Sequence, residues 1–202
     1  MAVYFYKNSE ILAPFSIVSN EPMFDMTTIS LKTRRATQGH QRWELSFSTQ
    51  PTDNDIEEAL LSSIDNLNSE TMVMPQLASV EKRFSLTGAV ALSSTASANS
   101  TSVTVATTAN NSGIIPKGYF IKFSSSDKIH VVTADANVTA TTGTTTISIY
   151  PKLISEVNIG SNVLTGNSVA FSYYKDINNQ TGITYTDGVL ANPGTITLLE
   201  AV

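Results

Sequence analysis

TTISLKTRRATQGHQRWELSFST, Thr27 to Thr49, carries the clearest β signal in this 202-residue chain. Trp43, Leu45 and Phe47 alternate with Arg42, Glu44 and Ser46. A period of two with large apolar residues on one side marks a strand with one buried face. Ile29 and Leu31 alternate in the same way with Ser30 and Lys32, which predicts a partner strand. The segment between them, Ala36 to Gln41, holds Gly39, a residue free to take the positive φ of a hairpin loop. The expectation is a hairpin with Trp43 in the core and a basic rim of Lys32, Arg34, Arg35 and Arg42.

Upstream, residues 1–26 mix short apolar runs with Pro14 and Pro22, as expected of one or two entry strands and irregular linkers. Downstream, Pro51 ends the second strand because it cannot donate to a ladder. Ile56, Leu60, Ile64 and Leu67 then recur at helical spacing, predicting one helix over about 52–67. Thr52 or Asp53 suits its N-cap, and Asp55, Glu57 and Glu58 lie at the positive end of its dipole. Capping explains this acid cluster better than paired catalytic carboxylates. Thr71 to Pro75 reads as a short strand, with Met72 and Met74 as core fillers.

From Phe84 the texture changes. Short β-rich runs recur at Leu86–Leu92, Thr101–Thr107, Tyr119–Phe123, Lys128–Ala134, Thr144–Tyr150 and Ser168–Lys175, separated by turn-like clusters such as Asn110-Asn111-Ser112-Gly113. Such strands without a covering helix imply a small closed barrel or sandwich. Asn192-Pro193-Gly194 is a strong turn, and Thr195 to Val202 reads as a terminal strand apolar enough to need a sheet. We expect it to return to the first domain, making the barrel an insertion. The expected division is 1–84 with 176–202 for one domain and 85–175 for the other. The fold class is mainly β.

Composition narrows the chemistry. Hydrophobic residues are 41% and charged ones 14%, so the polar surface must come largely from Ser, Thr and Asn. The net charge of −5 disfavours nucleic-acid binding by the whole surface. With no cysteine, disulfides and thiolate metal sites are excluded. The first ten residues lack a basic region followed by an apolar one, so folding in a cytoplasm is expected, and no window has the length of a membrane span. His40 and His130 show no metal-ligand spacing, and no nucleophile elbow, Walker loop or dinucleotide fingerprint occurs. No catalytic residue, metal site or cofactor is expected. One candidate binding face is Tyr119, Lys122 and Tyr150, on barrel strands where aromatics could stack on a base or a sugar. Barrel packing is the competing explanation, favoured because no arginine occurs from residue 84 onward.

Two blocks together resemble a known family. Lys32 to Pro51, with Thr33-Arg34, Gly39, Gln41, Arg42, Trp43 and Glu44, is similar to the first domain of distal tail proteins of long-tailed bacteriophages. Pro116 to Asp135 with Thr146 to Leu153 is similar to the inserted barrel of the same proteins, although Tyr119 replaces the usual acid after Gly118 and Ile129-His130 replaces Val-Tyr. The resemblance implies a tail-tube-like β-sandwich with one α-helix plus an inserted barrel of the oligonucleotide/oligosaccharide-binding (OB) type. It implies a non-enzymatic virion tail protein, made in the bacterial cytoplasm. Such a protein forms a hexameric ring between the tail tube protein and the hub or tip protein, and genomic DNA passes through without specific binding. Tail fibres or host saccharide are further candidate partners. Arg34, Arg35 and Arg42 would be donors across the ring to acids such as Asp53, Asp55, Glu57 or Glu58 of a neighbour. Two alternatives are a receptor- or carbohydrate-binding tail accessory that uses the barrel, and a single-strand nucleic-acid binder.

Overall fold

The computed structural model describes residues 5–6, 9–27, 29, 31, 33–37, 40–50, 69–176, 184–186, 190–192 and 194–202. The helix expected over 52–67 lies outside them. The chain divides into two compact units: Thr71–Phe171, and Val3–Glu70 with Ser172–Val202. Both are built of antiparallel β-structure, so the mainly-β expectation holds.

The discontinuous unit is organised on β5 (Arg42–Thr49). Trp43, Leu45 and Phe47 are buried and Arg42 is exposed, as the alternation requires. β5 is flanked on one side by β2 (Ser9–Asn20) and on the other by β17 (Thr195–Glu200). Ile17 and Leu198 both stand opposite Leu45 and share its face. The sheet continues from β17 to β14 (Ala170–Lys175) and β6 (Glu70–Val73), and from β2 to the short β1 (Phe5–Tyr6). β2 shifts register between Leu12 and Ser16. The terminal strand therefore docks in the first domain's sheet, as expected, and it lies between two partners.

The expected hairpin is not formed. β4 (Thr33–Thr37) pairs with β3 (Met23–Thr27), in a two-stranded sheet of their own. Ile29 and Leu31, read as one strand face, lie in the turn between them, 105% and 85% exposed, with Leu31 at φ 58. The alternation was real, but the strands beside Leu45 are β2 and β17, with Ile17 and Leu198 flanking it on the same face. A second small hairpin joins β15 (Thr184–Thr186) to β16 (Leu190–Asn192).

The contiguous unit holds five strands in the order β13 (Val163–Leu164), β9 (Phe120–Phe123), β10 (Ile129–Val132), β12 (Gly143–Tyr150) and β7 (Ser102–Thr107). The segment 90–93 closes this sheet. On one side Ala106 N–H donates to Ala91 O and Ser93 N–H to Thr104 O, along β7. On the other, Leu92 N–H donates to Ser161 O and Val163 N–H to Val90 O, along β13. Both edges are thus occupied by one segment, and the sheet becomes a barrel. Its interior is Val90, Leu92, Val103, Val105, Ile121, Phe123, Ile147, Ile149 and their neighbours. Closure removes the exposed edges that a Thr- and Val-rich sequence would otherwise present.

A smaller pair, β8 (Gly113–Ile115) with β11 (Ala136–Val138), adjoins the chain at Ser85, where an added Cβ on Gly113 would collide with the Ser85 carbonyl. Two assignments from sequence change. Ser168–Lys175, expected in the barrel, yields β14, which pairs with β17 in the other sheet. Residues 71–73 form part of β6 in the six-stranded sheet, whereas 74–84, also expected with the flanking domain, pack with the barrel unit: Phe84 stacks on Tyr119 at 4.4 Å, and the short helix α1 (Ala78–Glu81) precedes it.

Candidate functional site

The basic candidates separate once the strands are placed. Arg34 and Arg35 are neighbours on β4, so they project to opposite faces of the ribbon. Arg35 is already engaged, its Nε 3.0 Å from Asp25 on the paired strand. Arg34 is exposed and stands opposite Met26. Arg42 is exposed at the start of β5, opposite Asn20. Glu57 and Glu58 lie outside the described residues, as do Asp53 and Asp55.

The barrel candidates do not form a face. Tyr119 is 2% exposed, with its ring against Phe84. Lys122 is buried, its Nζ 3.0 Å from Asp127 and 3.3 Å from the Ala170 carbonyl. Only Tyr150, 36% exposed, reaches solvent. Tyr119 serves the barrel's core, while Lys122, alternating with the core residues Ile121 and Phe123, lies buried on the other face of β9 with its ammonium on Asp127 and the Ala170 carbonyl.

Side-chain hydrogen bonds that sequence patterning does not reveal hold the elements in place. Gln76 binds Phe120 twice: its Nε2 donates to the carbonyl and its Oε1 accepts the amide, each at 3.0 Å, so a side chain stands in for a ladder partner of β9. Glu200, buried on β17, accepts the Trp43 amide at 3.0 Å. Asp135 accepts the Lys117 amide at 2.7 Å and Arg83 Nη2 at 2.6 Å; the amide above all, with Arg83 adding to it, holds its carboxyl below the usual range against the opposing effect of desolvation.

Tyr6, Tyr173 and His130, all buried, are held in neutral forms. Tyr173 donates to Glu70 Oε2 at 2.9 Å, and Tyr6 packs nearby, its ring 6.1 Å from that of Tyr173. Burial pushes the Tyr6 hydroxyl up to about 12 and raises that of Tyr173 as well, so both remain protonated and neither supplies a phenolate at neutral pH. His130 is fully buried on β10; its Nδ1–H donates to the Pro151 carbonyl at 2.8 Å, which leaves Nε2 as the lone-pair nitrogen, without a partner among the described residues. Burial is the main cause that lowers its pKa to about 4, with Lys128 adding to it. No group of three or more His, Asp or Glu is arranged for a metal ion among the described residues. Among the same residues, no helix is long and apolar enough to cross a membrane.

What solvent does meet is the β3–β4 hairpin. Met23, Phe24 and Met26 are exposed, together with Ile29 and Leu31 at its turn. The sequence reading passed over 23–26 as linker. The available signal was the alternation of Phe24 and Met26 with Asp25, immediately ahead of the run that starts at Thr27. This arrangement presents an apolar surface to solvent. Comparison with protein-family models returns no match, and no curated protein is significantly similar.

Proposed function

We propose that this protein is a structural subunit of a long-tailed bacteriophage tail, of the distal tail type, which assembles as a ring, a hexamer in this reading, between the tail tube and the tip or baseplate hub. The observation that carries the reading is the division of the chain. A closed barrel formed by a continuous middle segment interrupts a unit whose sheet is completed by the terminal strand β17. That arrangement agrees with what the motifs at Lys32–Pro51 and Pro116–Leu153 imply. In this reading the protein is not an enzyme. Its partners are further copies of itself, the tube protein and the hub protein, and its location is the virion tail. A DNA path through the centre is consistent with the net charge of −5, since like charge prevents adhesion.

The barrel as a saccharide- or nucleic-acid-binding module receives less support, because Tyr119 is taken up by its core and Lys122 is buried and held by Asp127 and the Ala170 carbonyl. Negative-stain electron microscopy of the purified chain at high concentration tests the ring. Closed rings with six-fold averages are the expected result. Particles of single-chain mass at every concentration would overturn it.

A further inference from the structure

We infer that the β3–β4 hairpin is the arm through which one copy of this chain seats on a second copy, with Phe24, Met26 and Ala36 as its contact face and Arg34 beside them. This rests on the ring reading above and names the element that makes the contact. Residues directly opposite in an antiparallel pair share a face. Phe24 stands opposite Ala36 and Met26 opposite Arg34, so these four form one side of the ribbon. Asp25 stands opposite Arg35, joined to it by an ion pair, and Met23 opposite Thr37 on the other side. One side is therefore apolar with a cation at its tip end, and the other is largely polar and internally neutralised.

Exposure supplies the second step. Phe24 is 58% and Met26 52% exposed, and Ile29 and Leu31 at the turn meet water almost completely. Without Met23, which lies on the other side, these side chains leave roughly 500 Å² of apolar surface in water, as much as the largest patch of a typical monomer and a substantial part of the ~800 Å² per partner that a stable interface covers. A two-stranded ribbon this exposed is only marginally stable by itself, which favours an arrangement in which something covers it.

Charge selects the occupant. Lys32, Arg34 and Arg35 against Asp25 give the segment 23–37 a net charge of +2, so the rest of a chain of net −5 carries −7. A cationic arm on an acidic body is complementary to the body of another copy, and the opposite signs fix how the two approach.

The test places the photoreactive residue p-benzoylphenylalanine at position 24 of the full chain. Sedimentation velocity is measured in parallel on the unmodified chain and on Phe24→Glu, Met26→Glu and Met23→Ser. Far-UV circular dichroism checks that each variant keeps its fold. The expected result is a photoproduct of two chain masses, with self-association weakened ~10-fold or more by either glutamate and unchanged by Met23→Ser. If the unmodified chain assembles but position 24 gives no such product, or the glutamates leave assembly unchanged, the arm is overturned and the ring stands. If the unmodified chain stays monomeric throughout, the ring reading falls and the arm with it.

Discussion

His130 shows how one side chain can be fixed by its surroundings to a single protonation state. The ring is enclosed in the barrel, beside Phe123 at 5.4 Å, and its Nδ1–H is committed to Pro151. A proton added at Nε2 would be a buried donor without an acceptor, next to the charge of Lys128. The folded-state pKa of about 4 lies below the ordinary 6.5, so between these values the unfolded chain binds the proton and the folded chain does not. Stability from this group is complete above about pH 6.5 and is lost as the pH falls toward 4. Urea titrations at pH 7 and pH 5 are expected to show a loss of about 2 kcal/mol assignable to His130. His130→Asn keeps a donor near the Nδ1 position and should flatten that dependence by the same amount. An unchanged slope would place the titration elsewhere.

At the scale of elements, β5 decides the discontinuous unit because both its edges are used, by β2 and by β17. A proline in β17 removes a ladder donor from a strand paired on both sides. Thr197→Pro, opposite Ser46, is expected to cost about 1–3 kcal/mol or more in chemical denaturation, far above the effect of Thr197→Val at the same site. Strands with strong alternation were legible from residues alone: Arg42–Thr49, Gly143–Tyr150 and Thr195–Glu200 stand within a few residues of where patterning put them. Their partners were not, because period two reports a buried face and is silent about which strand lies alongside. Ile29 and Leu31 carried the same alternation as a true strand and turned out to cap a turn. The short strands β8, β11 and β13 are held by ladders to neighbours distant in sequence, which two or three residues cannot signal. The arm was missed for a related reason: apolar residues are read as core, and nothing in MFDMT says that these stay outside.

At the scale of the whole molecule, the middle segment closes its own barrel through residues 90–93 and fills it with side chains from Val90 to Val163. It needs nothing from β5 or β17 to complete that core. The fragment 71–171, expressed alone, is therefore expected to melt in one cooperative transition and to give dispersed amide NMR signals. A broad, non-cooperative melt would show that the barrel depends on the flanking segments. In the full chain Thr197→Pro should then lower the stability of the discontinuous unit and leave the fragment's own transition in place.

The position of β17 has a consequence for how the molecule is made. Thr195–Glu200 sits between β5 and β14, so the sheet that includes Arg42–Thr49 stays incomplete until the ribosome has translated past residue 200. The barrel segment has all its strands well before then. Synthesis thus imposes a timetable: the insert matures first, while β2 and β5 wait half-partnered, exposing Leu45 and Phe47 to whatever the nascent chain meets.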